Sequence, residues 1–259
     1  MRFYSCYAFD LDGTLYRGNE VVEGAPEAIR SLENRGAKIL YVTNNSGLTK
    51  ADYVAKLIKL GFPAEESQIV TSGQAAADYC VESALKRILL VGEPGLVKTF
   101  HANGITVVNA SESGLVTPSE SDADAVVSGI CRDALSYKLL DSAMQVAIKT
   151  QTYIACNTDL TYPIEGGRFC PGSGSIVAAI EACSGVKAVL VGKPNPIMLT
   201  SALERIGIAP SDTIMVGDRM DTDIECGKAA GCDTALVLTG VFQKPIDGQL
   251  SISSVTDLV

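Results

Sequence analysis

The sequence predicts an α/β protein with a parallel sheet, because short apolar segments alternate with amphipathic ones along most of the chain. The apolar segments are nearly continuous, as in strands that are buried on both faces of a sheet. A middle stretch repeats this alternation by itself, and it is long enough for an independent core. We therefore predict one α/β domain of residues 1–82 and 187–259, with a second, large α/β domain of residues 83–186 inserted into it.

The individual elements follow from the apolar runs and from the residues that interrupt them. Pro26 is typical of a helix start, and Gly36 of a helix end. Thr49 can cap the next helix, which Gly61 closes. In the first domain we predict strands at 7–9, 38–43, 188–191, 214–216 and 235–238, a hairpin at 16–23, and helices at 26–36, 49–61, 74–82, 195–207 and 221–231. In the inserted domain we predict strands at 87–91, 105–109, 125–128 and 153–156, and helices at 95–103 and 135–149.

The composition excludes several classes of function. The net charge of −9 disfavours nucleic acid as a partner, because phosphate backbones are bound by patches of Lys and Arg. No segment is long and apolar enough for a membrane span, and the eight cysteines are scattered without a Cys-x-x-Cys pair, so we expect a cytoplasmic protein. The single histidine, His101, lies far from any motif, which nearly excludes a Ser-His-Asp or Cys-His apparatus. Carboxylates must therefore carry the acid–base chemistry.

Four polar segments follow predicted strands of the first domain, at the carboxyl ends where open parallel sheets hold ligands. They are D-L-D-G-T at 10–14, T-N-N-S at 43–46, G-K-P at 192–194 and G-D-R-M-D-T-D at 217–223. Each alone is also compatible with a turn, a helix cap or a solvated charge, but together they indicate one site. Asp10 and Asp12 begin on the same side of an extended chain, where two carboxylates need a cation or a shared proton. Magnesium with oxygen ligands fits that need.

These segments resemble the four motifs of the haloacid dehalogenase superfamily, whose fold is a Rossmann-like core with an inserted cap. The sequence is more narrowly similar to the NagD-like phosphatases, which carry T-N-N as the second motif and V-G-K-P as the third. The likeness extends to a cap loop of Asn157-Thr158-Asp159 followed by P-G-S-G-S at 171–175. Dehalogenases of the superfamily lack the second aspartate, so Asp12 indicates phosphoryl transfer.

The chemistry and the resemblance together assign a role to each motif. Asp10 is the predicted nucleophile, and Asp12 protonates the leaving oxygen and later deprotonates water. Lys193 supplies a compact positive charge to Asp10 and to the phosphate. We expect Thr43, Asn44 and Asn45 to bind the phosphate. The predicted magnesium ligands are Asp10, Asp218 and the backbone carbonyl of Asp12, and Asp223 is expected to lie behind them or to bind the metal through water.

The resemblance implies a cap that limits substrate size, with its specificity loop between residues 156 and 174. Asn157, Asp159 and Tyr162 are candidate contacts to the leaving group, and an ordinary connection between strand and helix is the alternative. The predicted function is magnesium-dependent hydrolysis of small phosphate monoesters: nucleoside monophosphates, sugar phosphates or phosphoglycolate. Transfer to an alcohol and a non-catalytic sensor of phosphate ligands remain open. Relatives in this branch often dimerise through their caps, which leaves a homodimer open as well.

Overall fold

The computed structural model describes residues 2–111, 114–115, 122–164 and 168–259 of the chain. The α/β class that the sequence predicts is confirmed. The strands are β1 (Cys6–Phe9), β2 (Tyr16–Arg17), β3 (Glu20–Val21), β4 (Lys38–Thr43), β5 (Ile69–Thr71), β6 (Arg87–Val91), β7 (Thr106–Val107), β8 (Ala110–Ser111), β9 (Gly114–Leu115), β10 (Ala125–Ser128), β11 (Tyr153–Ala155), β12 (Thr161–Ile164), β13 (Arg168–Pro171), β14 (Val189–Leu190), β15 (Thr213–Gly217), β16 (Asp233–Val237) and β17 (Ser251–Ile252). The helices are α1 (Ala25–Asn34), α2 (Lys50–Lys59), α3 (Ser72–Glu82), α4 (Pro94–Ala102), α5 (Tyr137–Thr150), α6 (Ser173–Ser184), α7 (Ile197–Ile206) and α8 (Glu225–Ala229). None of the helices in these described ranges is long and apolar enough to cross a membrane.

The chain divides into two compact units. The first comprises residues 1–43, 50–70 and 193–259, and the second comprises residues 44–49 and 71–192. Each unit has its own sheet and its own buried apolar cluster.

The first unit is built on a six-stranded sheet with the order β17-β16-β15-β1-β4-β5. Its central strand β1 is fully buried and pairs in parallel with β15 on one side and β4 on the other. Phe9, the last residue of β1, lies opposite Val216 and Tyr41. Because the three strands run in the same direction, the residues that follow them emerge at one edge of the sheet. The register therefore places Asp10 between the ends of β15 and β4.

The second unit has a five-stranded sheet with the order β14-β11-β10-β6-β7, in which the pairings are parallel. The helices α5 and α6 pack against each other and contribute to the apolar cluster of this unit. Ser136 caps α5, because its hydroxyl accepts a hydrogen bond from the backbone N–H of Leu139 at 3.2 Å. An antiparallel hairpin of β12 and β13 follows β11.

Two predictions about organisation differ from the structure. The predicted strand at 188–191 was assigned to the first domain, but β14 pairs with β11 in the sheet of the second unit. The helix α3 also belongs to the second unit, where it packs against α4. The predicted boundaries at 82/83 and 186/187 therefore do not coincide with those of the compact units. A short apolar run identifies a strand, but it does not specify which sheet the strand joins.

The segment after the acidic motif also differs from the prediction, because the single helix predicted at 221–231 is replaced by two shorter helical elements. One wide, π-type helical turn at Met220–Ile224 precedes the short helix α8. Such turns occur frequently at functional sites.

Candidate active site

The ammonium group of Lys193 lies at the carboxyl edge of the first sheet and is almost completely buried. Its Nζ atom donates to Asp10 Oδ1 at 2.6 Å, to Asp223 Oδ1 at 2.7 Å and to the backbone carbonyl of Val42 at 3.2 Å. Burial alone would lower the pKa of Lys193, but the two carboxylates outweigh burial and raise it. Lys193 is therefore positively charged, and its ammonium group binds oxygen atoms from three separate segments of the chain.

Three carboxylates form a compact acidic cluster around this ammonium group. Asp10, Asp218 and Asp223 are buried, and one oxygen of each lies within 4.8 Å of the others. Burial raises the pKa of Asp10, against the attraction of Lys193. Burial and repulsion from Asp223 raise the pKa of Asp218 to about 6. Repulsion of this kind indicates that the cluster requires further positive charge when all three groups are ionised.

The donor set of this cluster fits a divalent cation. Ionised Asp10, Asp218 and Asp223 carry three negative charges, and Lys193 balances only one of them. Carboxylate oxygens are the ligands that Mg²⁺ prefers, and Mg²⁺ is usually held by one or two carboxylates together with water. Asp223 gives one oxygen to Lys193 and accepts the backbone N–H of Arg219 at the other. Asp10 and Asp218 are therefore the better placed direct ligands.

The backbone around Asp218 leaves room for its carboxylate only because two glycines lack side chains. A Cβ atom on Gly13 or on Gly240 would overlap the Asp218 carboxylate. Gly13 also has a φ of +92°, which L-residues with a side chain rarely adopt. The Asp-Gly step in the first motif is therefore required both by the turn and by the close approach of Asp218.

Sequence reasoning missed the loop that follows β16. The backbone N–H of Val241 donates to Asp218 Oδ2 at 2.7 Å, and the Thr239 hydroxyl donates to the Gly13 carbonyl at 2.7 Å. This loop orients a predicted metal ligand and the turn of the first motif. The signal was present, because residues 239–241 also follow a strand of the same parallel sheet.

Asp12 differs from the other carboxylates because its side chain is exposed to solvent. Partial burial nevertheless raises the pKa of its carboxyl group, whereas nearby Lys56 opposes the rise. Lys56 also lies over the ring of Tyr16, with Nζ 4.0 Å from the ring centroid. Asp12 therefore combines access to water with a raised pKa, which are the properties of a proton-transfer group.

The predicted phosphate-binding residues lie at and after the end of β4. Thr43 is the last residue of that strand and is buried in the first unit. Asn44 is buried in the second unit, and Asn45 is exposed and accepts the backbone N–H of Gly47 at 2.8 Å. Their contact with phosphate stays a prediction.

The candidate leaving-group residues lie in the second unit, but they do not share one environment. Asn157 is buried and donates through Nδ2 to the Asn44 carbonyl at 2.7 Å. Asp159 is half-buried and accepts from Asn44 Nδ2 at 3.2 Å. Tyr162 is partly exposed on β12, opposite Cys170 of the hairpin. The structure therefore brings Asn157 and Asp159 together around Asn44, and places Tyr162 on a separate element.

Comparison with known proteins shows the family to which this sequence and fold are similar. A family model described as haloacid dehalogenase-like hydrolase matches residues 7–106, and a second model of the same kind matches residues 190–255. The 5'-nucleotidase YutF of Bacillus subtilis is 35% identical over 94% of this chain and 91% of its own length. The crystal structure of the 4-nitrophenylphosphatase from Thermotoga maritima is 33% identical with a TM-score of 0.88, and the match covers 98% of this chain and 96% of that one. NagD of E. coli K-12 is 27% identical with a TM-score of 0.85, over 99% and 98% of the two chains.

Proposed function

Because this chain belongs to the haloacid dehalogenase-like hydrolases, in the NagD-like branch, we propose that it hydrolyses small phosphate monoesters with Mg²⁺ through an aspartyl-phosphate. That it is a phosphoric monoester hydrolase follows from its family and from its phosphatase-named relatives. The metal, the covalent intermediate and the substrate class are the proposal.

One observation carries the proposed mechanism. Lys193 binds Asp10 through Oδ1 at 2.6 Å, while Asp10 Oδ2 has, among the described residues, only a long contact of 3.4 Å with the Thr14 hydroxyl. Oδ2 is therefore the oxygen available to attack phosphorus. The ammonium group of Lys193 opposes the rise in the pKa of Asp10 that burial causes, and it thereby favours the ionised carboxylate, which is the nucleophilic form.

Asp12 is the proposed proton carrier. In the first half-reaction Asp10 forms a bond to phosphorus, the bond to the ester oxygen breaks, and Asp12 gives that oxygen its proton. In the second half-reaction Asp12 removes a proton from the water that attacks the aspartyl-phosphate, and phosphate leaves while the Asp10 carboxylate is restored. The raised pKa and the solvent access of Asp12 support both steps.

A bound Mg²⁺ would neutralise charge on the phosphoryl oxygens and on the acidic cluster. Asp10, the Asp12 carbonyl and Asp218 would be its ligands, and Asp223 would lie behind them or bind through water. The chain itself supplies the rest of the positive environment. Lys193 stabilises charge on Asp10 and on the transferring phosphoryl group, and Thr43 with Asn44 and Asn45 donates hydrogen bonds to the phosphate.

The proposed substrates are small phosphorylated metabolites: nucleoside monophosphates, sugar phosphates or phosphoglycolate. The names of the matched 5'-nucleotidase and 4-nitrophenylphosphatase support a small monoester as substrate. Tyr162 is the proposed contact to the leaving group, because it is partly exposed on the hairpin of the second unit.

The test is turnover of p-nitrophenyl phosphate with and without Mg²⁺. We expect activity that EDTA abolishes and added Mg²⁺ restores, and none in Asp10→Asn, which keeps the shape of the side chain and removes the nucleophile. Asp221→Asn is the matched control, because Asp221 is an exposed carboxylate of the acidic motif and pairs with Arg219 at 2.9 Å. Equal activity of Asp10→Asn and the wild type would refute the mechanism.

A further inference from the structure

Asn44, which directly follows Thr43 in the chain, is bound through its backbone carbonyl and its side chain by other residues of the second unit. Its backbone carbonyl accepts two hydrogen bonds, from Asn157 Nδ2 at 2.7 Å and from the Ser72 hydroxyl at 2.6 Å. Its side-chain Nδ2 donates to Asp159 Oδ2 at 3.2 Å. The carbonyl has two lone pairs, and these two donors can occupy both of them.

The side chains that hold Asn44 are themselves fixed. Ser72 and Asn157 are buried, so their hydrogen bonds do not compete with bulk water. The second polar end of Asn157 is also occupied, because its Oδ1 accepts the backbone N–H of Asp159 at 3.3 Å. Asn157 therefore gives one N–H of its amide to Asn44 and its oxygen to its own loop, so that both polar ends of this buried amide already have partners within the second unit.

Gly192, which directly precedes Lys193, packs against the same group of residues. A Cβ atom at position 192 would lie 2.8 Å from Asn44 Oδ1 and 3.2 Å from the Ser72 Cβ, and it would overlap the carbonyl of Cys156. The cluster of Ser72, Asn157 and Asp159 around Asn44, which we call the Asn44 anchor, thus contacts the chain next to two site residues.

The distance along the chain from this anchor to the catalytic groups is very short. Lys193 donates to the carbonyl of Val42, which is two residues before Asn44. Any shift of the Asn44 or Gly192 peptide is passed through covalent bonds to Thr43 or to Lys193. Misplacement of reacting groups by about 1 Å can lower a rate by about 100-fold.

We infer that Ser72, Asn157 and Asp159 are positioning residues of the hydrolase, which fix the peptides beside Thr43 and Lys193 and do not touch the leaving group. This inference rests on the proposed function. It replaces the leaving-group role that the sequence suggested for Asn157 and Asp159, and it leaves that role to Tyr162.

The first test is the isosteric variant Asn157→Asp, which places an acceptor against the Asn44 carbonyl in place of a donor. We expect kcat to fall about 10- to 100-fold with little change in KM. The loss must be the same for p-nitrophenyl phosphate, phenyl phosphate and glycerol phosphate, because a positioning residue acts on the phosphoryl group that all three share. Thr158→Ala is the control, since Thr158 is exposed in the same loop and its side chain lies outside the anchor.

The second test uses Asp159, which is only half-buried and tolerates substitution better than Asn157. Asp159→Asn keeps an oxygen that can accept from Asn44 Nδ2, whereas Asp159→Ala removes it. We expect kcat to fall in Asp159→Ala, with partial rescue in Asp159→Asn, again equally for the three esters. If Asn157→Asp does not fold, as judged by thermal unfolding, the comparison of Asp159→Ala with Asp159→Asn tests the inference.

A loss that appears mainly in KM and differs between the three esters would overturn the inference and restore the leaving-group role. Unchanged kcat in Asn157→Asp and Asp159→Ala would overturn it too, and so would equal losses in Asp159→Asn and Asp159→Ala. A wild-type protein that hydrolyses none of the esters with Mg²⁺ overturns the proposed function, and this inference with it.

Discussion

The acidic cluster should make the metal-free protein less stable than a variant with one carboxylate removed. Asp218→Asn is the sharpest change, because the amide keeps the shape of the side chain and an oxygen for the Val241 N–H, which now donates to Oδ2 at 2.7 Å. Folding raises the pKa of Asp218 from 3.8 to about 6, mainly through burial. The folded protein therefore binds more protons than the unfolded chain between these two pH values, and its stability falls as the pH rises through them.

The size of the stabilisation expected for Asp218→Asn follows from the shift in the pKa of Asp218. About two pKa units correspond to about 3 kcal/mol at a pH above both values. Replacing a charged acceptor by a neutral one weakens the hydrogen bond from Val241 by about 1 kcal/mol. We therefore expect Asp218→Asn to raise the free energy of unfolding by about 2 kcal/mol at pH 7.5, or the Tm by about 4–8 °C.

The assay is thermal unfolding in EDTA at pH 7.5 and at pH 4. The gain must be present at pH 7.5 and disappear at pH 4, where Asp218 is largely protonated in the folded wild type. Asp221→Asn is the control and should give no gain, because Arg219 lowers the pKa of the exposed Asp221. Added Mg²⁺ should then stabilise the wild type and leave Asp218→Asn unchanged. No gain at pH 7.5, or an equal gain at both pH values, would refute the electrostatic argument.

Two further substitutions test the interior of the first unit. Lys193→Met leaves Asp10 and Asp223 buried without their ammonium partner. We therefore expect the free energy of unfolding, measured by urea titration in EDTA at pH 7.5, to fall by about 3–5 kcal/mol, and turnover to be lost. An unchanged free energy of unfolding would contradict the buried ion pairs. Tyr16→Phe removes a buried hydroxyl that has no hydrogen-bond partner among the described residues, so the same titration should give a gain of about 1 kcal/mol. A loss of similar size would mean that the hydroxyl is hydrogen-bonded.

Much of the first unit could be predicted from local patterns. The apolar runs of β1, β4 and β15 identify buried strands, and parallel strands bring their carboxyl ends to one edge. Asp10, Thr43 and Asp218 come at or directly after these ends, so their proximity follows from the strand assignment. Their residue types indicate carboxylate and metal chemistry by themselves.

Other parts of the site depend on contacts between distant segments. Lys193 was predicted to follow a strand of the first sheet, yet β14 pairs with β11 in the other unit. Asn157 and Asp159 carry groups that suit a ligand, yet both bind Asn44, which is more than 100 positions away in the sequence. An amide or a carboxylate has the same hydrogen-bonding capacity wherever it lies, so the sequence does not specify its partner.

The amino-acid order alone determined the α/β class, the strand ends and the chemical character of the acidic groups, because these depend on short-range periodicity and side-chain type. Tertiary packing alone decided which sheet receives β14, that Val241 orients Asp218, and that Asn44 is held from three sides. Those features depend on contacts between segments that are far apart in the chain, and local sequence patterns carry no information about such contacts.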